Sequence, residues 1–287
     1  MPQHHDTSHR HAHHEGTDAD LADLLDLDGE VLHAYWTGAL GWVQSAVADR
    51  RCERILDLGA GSGTGTIALA RRFAGAEVIA VDNSEDMLSR IQAKALDLGL
   101  ASRIRTIHTD LDEAWPILDT LDVTWASMSM HHMAEPDQVL GNVFAATRPD
   151  GLVAVAEFDE PLRFLPDDVG FGRPGLEARC LDALGKEHAH SVPELGSDWS
   201  PRLSAAGFSE VVERVFSIEL NAPRSPAAIN YARGWLRRLR SGAAHRLDPD
   251  DQQALDRLLD AGGLDALQHR RELQVRGTRT VTLGRRP

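Results

Sequence analysis

Short apolar runs alternate with longer helical patterns through the middle of this chain. The segments between the runs place apolar residues at three- and four-residue spacing, which is typical of helices packed on a core. The strand-like runs are Ile55–Leu58, Glu77–Val81, Ile104–His108, Val123–Ser127 and the stretch Thr147–Phe158. This alternation predicts a parallel sheet covered by helices, with a ligand crevice at the carboxyl ends of its strands.

The flanking segments extend this plan. A helical pattern from Asp18 to about residue 50 predicts one or two amphipathic helices, and residues 160–196 are rich in proline, glycine and charge. Further along, the pattern predicts helices over Leu176–Leu184, Ser200–Ala206 and Ser225–Gln268, and strands over Glu210–Leu220 and Leu273–Leu283. The helical parts outside the sheet pattern form a predicted cap.

Four alternate glycines, at positions 59, 61, 63 and 65, follow the first strand. Glycine lets a backbone approach a ligand closely, and the free amides of a following helix face the same space. A P-loop is excluded because Thr66, and no lysine, follows Gly65. The dinucleotide-binding motif G-x-G-x-x-G does not match either, because its third glycine would fall at position 64 or 66, and both positions are threonine. Asp57, two residues before the first glycine, could meet an ammonium group, which favours a zwitterionic ligand.

The motif D-x-G-x-G-x-G of Asp57–Gly63 resembles the first motif of the class I S-adenosylmethionine-dependent methyltransferases. Four further motifs follow in the family's order: Asp82-Asn83 after the second strand, Asp110-Leu111 after the third, Met128 with His131-His132 after the fourth, and the Pro-Asp-Gly turn before the fifth. The resemblance covers about residues 55 to 160. It implies an α/β fold with a Rossmann-like, doubly wound seven-stranded sheet whose last strand is antiparallel, plus a helical cap.

The resemblance also implies the cofactor, S-adenosyl-L-methionine, with S-adenosyl-L-homocysteine as the product. An acid at Asp82 could accept both ribose hydroxyls, and the family binds the adenine amino group at the position of Asp110. Tyr35, in the N-terminal helices, could wall the methyl-transfer site. The predicted cofactor-binding residues are Tyr35, Asp57, Gly59, Ala60, Gly61, Gly63, Asp82, Asn83, Met87, Asp110, Leu111, Ser127 and Met128.

Three residues are candidates for catalysis. His131 and His132 follow the fourth strand, at the rim where an acceptor should lie, and histidine suits proton transfer near neutral pH. Glu157, at the end of the fifth strand, is the third candidate. A base is needed only for some acceptors, so its use stays open, and no metal site is predicted.

A small molecule is the predicted acceptor, methylated on oxygen, nitrogen or carbon, with secondary metabolism as one setting. The segment after the fourth strand lacks the Asn/Asp-Pro-Pro-Tyr/Phe motif of enzymes that methylate DNA amines or glutamine amides. Two alternatives stay open: a nicotinamide-dependent oxidoreductase and a noncatalytic cofactor-binding module. The predicted helix at Tyr231–Arg240 leaves open whether the substrate is acidic, because Arg237 or Arg238 would attract an acidic substrate if its side chain faced inward.

The composition of the chain limits the classes of partner that we predict. The 287 residues carry a net charge of −14, and only Lys94 and Lys186 are lysines. Nucleic acids and anionic membranes need a basic face, so neither is a predicted partner. The two cysteines are far apart, no signal peptide or 18-residue apolar run is present, and arginine and alanine are frequent. We therefore predict a cytoplasmic bacterial protein, either a monomer or a homodimer.

The sequence divides into six predicted parts. Residues 1–20 hold six of the 14 histidines among polar residues and read as a disordered tail. The other parts are the N-terminal cap helices (21–50), the S-adenosylmethionine-binding core (51–160), a cap insertion with sheet completion (161–221), a helical cap insertion (222–272) and the last strand (273–287).

Overall fold

The computed structural model describes residues 18–48, 50–188, 192, 194–221 and 225–287. Seven strands form one sheet: β1 (Arg54–Leu58), β2 (Glu77–Asp82), β3 (Ile104–His108), β4 (Leu121–Ser127), β5 (Thr147–Arg163), β6 (Ser209–Asn221) and β7 (Gln274–Arg285). The central strands β1, β2 and β4 are buried along nearly their whole length. Continuous apolar runs of this kind are expected in a parallel sheet that is covered on both faces.

Helices surround the sheet and build the cap. They are α1 (Asp18–Val31), α2 (His33–Val47), α3 (Thr64–Arg72), α4 (Glu85–Asp97), α5 (Pro136–Ala146), α6 (Leu176–His188), α7 (Trp199–Ala205), α8 (Pro226–Gly242) and α9 (Pro249–Leu259). Local signals mark several starts. Ser84 and Ser225 accept hydrogen bonds from the first turns of α4 and α8, and proline opens α5, α8 and α9.

The strand order is β3-β2-β1-β4-β5-β7-β6. The strands β1 to β5 pair in parallel, whereas β7 is antiparallel to both β5 and β6. This confirms the predicted seven-stranded sheet with an antiparallel last strand. The chain winds outward in both directions from β1 and β4, so the carboxyl ends of these two strands define the crevice where such folds bind ligands.

Strand β5 is longer than its sequence pattern predicts. Its pairing with β7 continues past Phe158 to Arg163, with register shifts on both sides of Glu160. The charged residues after Phe158 break the apolar pattern, but their backbone still bonds to β7. Strands β5, β7 and β6 therefore project beyond the edge where β1 to β4 end, and they wall one side of the crevice.

Among the described residues, three large apolar cores and one small cluster around Ile91 hold the layers together. One joins α2, α3 and α8 to one face of the sheet, and another packs α5 and α7 on the opposite face. The third lies inside the cap, where Leu176 and Cys180 of α6 meet Leu236 of α8 and Leu255 of α9. Since α8 belongs to both the first and the third core, it connects the cap to the sheet.

Residues 1–17 of the predicted tail lie outside the described residues, whereas residues 18–20 belong to α1, which begins at Asp18, so the predicted boundary at residue 20 is wrong. None of the helices in the described ranges is both long and apolar enough to cross a membrane.

Candidate active site

The turn after β1 has three glycines in the left-handed backbone region. Gly59, Gly61 and Gly63 have φ angles of 67°, 52° and 89°. A residue with a side chain rarely adopts this conformation, because its Cβ crowds the following carbonyl oxygen. The alternate spacing of these glycines is therefore a backbone requirement. Helix α3 begins directly after the turn, at Thr64.

Two of the glycines also lie too close to other elements to carry a side chain. A Cβ on Gly59 would be 2.4 Å from Cβ of Ser129, which follows β4. A Cβ on Gly63 would be 2.5 Å from Cγ1 of Ile91 in α4. The turn thus packs directly on both of its neighbours.

Asp82 braces the same turn from the end of β2. Its Oδ2 accepts a hydrogen bond from the backbone N–H of Gly61 at 2.7 Å, and its Oδ1 accepts one from that of Ser84 at 2.9 Å. The residue is partly exposed. Each carboxylate oxygen has a second lone pair, so Asp82 keeps acceptor capacity for the predicted ribose hydroxyls.

The predicted adenine end lies beside Asp82. Strands β2 and β3 pair Asp82 with His108, so Asp110 comes two residues further along the same edge. Asp110 is exposed, and its Oδ1 accepts a hydrogen bond from the backbone N–H of Asp112 at 3.0 Å. Two apolar residues close to these acids in the sequence are buried: Leu111, which follows Asp110, and Met87, which comes soon after Asp82. Asn83, directly after Asp82, is exposed. The edge therefore offers carboxylates next to apolar side chains.

Asp57 lies beneath the glycine turn. It is 2% exposed, and its Oδ2 accepts a hydrogen bond from Oγ1 of Thr66 at 2.6 Å. Burial raises the pKa of Asp57 to about 7, although the hydrogen bond from Thr66 lowers it. The negative charge of Asp82 also raises this pKa. Asp57 supports the turn from below, and its contact with a ligand's ammonium group stays a prediction.

Helix α1 covers the turn from the other side. A Cβ on Gly61 would be 3.1 Å from Cδ1 of Leu25, and Oγ1 of Thr64 donates to the carbonyl of Leu25 at 3.1 Å. Arg90 of α4 donates to Oδ2 of Asp26 at 2.9 Å. These contacts place α1 directly over the predicted cofactor site.

The chain turns sharply after β4. Met128 has a φ of 56°, which is unusual for a residue with a side chain, and its N–H donates to the carbonyl of Ala156 at 2.9 Å. Oγ of Ser129 donates to the carbonyl of Leu58 at 2.7 Å. Ser127 is half-buried just before this bend. The bend directs the chain into a short 3-10 turn over Met130–His132.

The three candidate catalytic residues come together at this turn. Glu157 is 7% exposed, and its Oε1 accepts a hydrogen bond from the backbone N–H of Met130 at 3.1 Å. Its Oε2 lies 2.6 Å from Nδ1 of His131, which is 6% exposed. The rings of His131 and exposed His132 are 4.1 Å apart. A carboxylate at Nδ1 keeps the proton there, which leaves Nε2 of His131 as the basic nitrogen.

Tyr35 is the predicted site residue that lies apart from the glycine turn. Its ring makes edge contacts with the rings of Trp36 and Phe216, and the guanidinium of Arg279 lies 4.9 Å from its centroid. Burial raises the pKa of Tyr35 to about 12, so its hydroxyl keeps its proton at neutral pH. Tyr35 contacts the β7 side of the crevice.

The sequence motifs do not predict the buried ion pair that lies beside Tyr35. Asp28 of α1 accepts hydrogen bonds from Nη1 of Arg279 at 3.1 Å, from the hydroxyl of Tyr231 at 2.7 Å and from Nε1 of Trp36 at 3.2 Å. A signal was available. Asp28 continues an apolar helix face after Leu24 and Leu25, and Arg279 occupies an inward position in the alternating pattern of β7. A single charge in an apolar position can mark a buried pair.

An open cleft lies elsewhere. It has a volume of about 490 Å³ and lies in the cap. Its charged groups pair with each other, since Arg179 binds Asp251 and Lys186 binds Asp182. Arg237 and Arg238 of α8 are exposed. Neither side chain is enclosed within the cap, although partial burial lowers the pKa of Arg238.

Comparison with known proteins agrees with this geometry. Residues 55–151 match the family model described as a methyltransferase domain. The chain is 34% identical to the demethylmenaquinone methyltransferase of Clavibacter sepedonicus over 116 residues, which are 40% of this chain and 45% of that protein. It is 32% identical to the 27-O-demethylrifamycin SV methyltransferase of Amycolatopsis mediterranei over 158 residues, 50% of this chain and 57% of that protein.

The chain thus spans about half the length of the curated relatives it matches. The fold match is wider. The crystal structure of the YcgJ protein from Bacillus subtilis aligns with a TM-score of 0.54 at 15% identity, covering 87% of this chain and 98% of that one.

Proposed function

We propose that this chain, whose residues 55–151 match the methyltransferase domain model, is an S-adenosylmethionine-dependent methyltransferase of a small molecule. The observation that carries the proposal is the row of polar groups at the carboxyl edge of the sheet. The left-handed glycine turn, Asp82 and Asp110 follow three adjacent strands, β1, β2 and β3. An S-adenosylmethionine molecule offers an ammonium, a ribose and an adenine in the same order.

The donor set of this edge fits the cofactor. Gly59, Gly61 and Gly63 leave room for a ligand's close approach to the backbone, Asp82 would hold the ribose hydroxyls, and Asp110 would hold the adenine amino group. Met87 and Leu111 supply apolar surface for the adenine ring, and the polar groups of Asn83 and Ser127 lie at the same edge. Asp57 would act from beneath the turn on the ammonium group.

When bound, S-adenosylmethionine supplies an electrophilic methyl group on a sulfonium. The protein's task is then to align the acceptor with this methyl group and to exclude water. A hydroxyl acceptor must also lose a proton. Nε2 of His131 would take that proton, and Glu157 would stabilise the resulting imidazolium through Nδ1. His132 lies at the rim and would contact the entering acceptor.

The acceptor class is a small organic molecule. The two curated relatives are named for demethylmenaquinone and for 27-O-demethylrifamycin SV. The attacked atom, oxygen, nitrogen or carbon, is not fixed by the edge of the sheet. The histidine base favours oxygen, because a hydroxyl is the acceptor that most needs proton removal. Action in the cytoplasm, as a monomer or a homodimer, stays a prediction.

Isothermal titration calorimetry of the full chain tests the cofactor assignment. We expect S-adenosylhomocysteine to bind and NADH to give no heat at the same concentration. Binding of NADH alone would replace this proposal with the oxidoreductase alternative. Binding of S-adenosylhomocysteine without methyl transfer to any member of a phenol, amine and carboxylic acid panel would favour the noncatalytic alternative.

A further inference from the structure

Both tyrosines of the chain lie at the same buried ion pair. Tyr35 of α2 packs its ring against Arg279, and Tyr231 of α8 donates its hydroxyl to Asp28 at 2.7 Å. Tyr35 is 6% exposed and Arg279 is 4% exposed. The chain has only two tyrosines in 287 residues, and four separate elements, α1, α2, α8 and β7, bring them together here.

The two tyrosines differ in one respect. The hydroxyl of Tyr231 is satisfied by Asp28, whereas that of Tyr35 is buried beside the Arg279 guanidinium, which stabilises its charged form, yet it makes no hydrogen bond of good geometry among the described residues. Nε of Arg279 is also buried and unpartnered within the same part of the chain. Buried donors without partners are disfavoured, so two of them on contacting side chains point to a group that both can bind.

The charges around Tyr35 and Arg279 favour a neutral oxygen as the ligand atom bound there. Asp28 accepts from both terminal nitrogens of Arg279, so the positive charge already has its counterion. Glu157, another carboxylate, is close enough to act on Tyr35 electrostatically. A second anion would be repelled here, but a carbonyl or hydroxyl oxygen could accept from Nε of Arg279 and from the hydroxyl of Tyr35.

Phe158 connects this place to the catalytic candidates. It pairs with Arg279 across β5 and β7, and its ring lies 5.5 Å from that of His131. Paired residues have Cβ atoms about 5 Å apart, so Phe158 lies next to both His131 and Arg279. The rings of Tyr35, Trp36 and Phe216 meet on the same side.

We propose that Tyr35 and Arg279 bind the methyl acceptor, an aromatic hydroxyl compound with a second, neutral oxygen at its far end. The reacting hydroxyl would lie at His131, and the second oxygen would accept hydrogen bonds from Tyr35 and Arg279. Asp28 and Tyr231 are positioning residues that hold the guanidinium. The proposal rests on the proposed function. Both groups are buried, so the acceptor reaches them only if α2, which carries Tyr35, moves away from β7.

The matched tyrosines give the first test, which needs no acceptor. Tyr231→Phe removes a hydrogen bond to a buried charge, so we expect its melting temperature to fall by about 2–4 °C. Tyr35→Phe removes a hydroxyl that makes no good hydrogen bond among the described residues, so its melting temperature should stay equal or rise. An equal fall in both variants would mean that Tyr35 is already satisfied, for example by water, and would overturn the inference.

The second test uses two probes on the protein saturated with S-adenosylhomocysteine. 2,6-Dihydroxynaphthalene carries the second oxygen and 2-naphthol lacks it. We expect the wild type to bind the dihydroxy probe at least about tenfold more tightly, and Tyr35→Phe and Arg279→Met to lose this preference. Arg214→Met is the matched control, because Arg214 also lies over an aromatic ring but on exposed β6. It should keep the preference.

The outcomes separate the two proposals. If S-adenosylhomocysteine does not bind the wild type, the proposed function fails. If it binds but the wild type does not discriminate between the probes, or binds neither, the acceptor assignment is overturned alone. A preference that survives Tyr35→Phe also overturns it, and this conservative variant keeps the test valid should Arg279→Met fail to fold.

Discussion

Two polar sites of this molecule are built in opposite ways. The proposed cofactor edge lies mainly within residues 57 to 111, placed by consecutive strand, turn and helix units, with Ser127 beyond them. The buried cluster uses Asp28, Tyr35, Tyr231 and Arg279, and its ion pair joins residues 251 positions apart. The first site follows from local backbone geometry, whereas the second exists only after the whole chain has folded. The difference explains why one leaves a motif in the sequence and the other leaves single polar residues in apolar patterns.

The stability of the two sites should differ most when a partner is removed. Arg279→Met leaves Asp28 buried without its counterion, so we expect the free energy of unfolding to fall by about 3–5 kcal/mol in urea denaturation. Arg90→Gln is the control, because Arg90 pairs with Asp23 and Asp26 at a partly exposed position. Its loss should change stability by about 0–1 kcal/mol. Equal effects would mean that burial does not distinguish the two pairs.

At the cofactor edge, the largest effect should come from the backbone. Gly63→Ala places a Cβ at a φ of 89° and against Ile91, so we expect a loss of about 2–4 kcal/mol from strain and overpacking together. The same experiment on Gly141→Ala should give the opposite sign. Gly141 lies within α5, at an ordinary helical φ, and no atom lies within 4 Å of its Cβ position. Its replacement should stabilise by about 0.5–1 kcal/mol.

These contrasts show what a sequence can predict. Continuous apolar runs identify β1, β2 and β4 because these strands are buried on both faces, and positive φ angles fix the glycines. The extension of β5 to Arg163 is not predictable from its own residues, since β7 supplies its partners from more than 100 positions away. Likewise, Asp28 and Arg279 are each visible as misplaced charges, but their pairing depends on tertiary packing. The dyad of His131 and Glu157 lies between these cases, because each residue ends a recognisable strand or turn.

Asp82→Ala tests the cofactor edge directly. We expect it to weaken S-adenosylhomocysteine binding by about 1–3 kcal/mol, the range for a lost hydrogen bond to a charged group. Calorimetry measures the dissociation constant, and Asp86→Ala, one turn away at an exposed position of α4, serves as the control. Because Asp82 also braces Gly61 and Ser84, the variant's melting curve must be recorded beside its affinity. An unchanged dissociation constant would contradict the ribose assignment.

The smallest effect compares two buried carboxyl groups, one in each region. Burial raises the pKa of Asp57 at the cofactor edge and of Glu177 in the cap to about 7. Glu177 accepts hydrogen bonds from the backbone N–H groups of Phe164 and Leu165. In the unfolded chain both groups titrate near pH 4, so the stability that their protonated forms contribute is full below that pH and is lost as pH rises through 7.

Between pH 5.5 and 7.5 we expect the ionisation of each group to lower the free energy of unfolding by about 1–2 kcal/mol. The variants Asp57→Asn and Glu177→Gln should each abolish the part of this pH dependence that comes from the replaced carboxyl group, which we call its share. A ligand then separates the two regions. If the ammonium of S-adenosylhomocysteine lies near Asp57, the bound ligand lowers the pKa of that carboxyl and abolishes its share, while the share of Glu177 persists because no ligand charge reaches the cap. Loss of both shares on binding, or of neither, would show that Asp57 and Glu177 do not report separately on the cofactor edge and the cap.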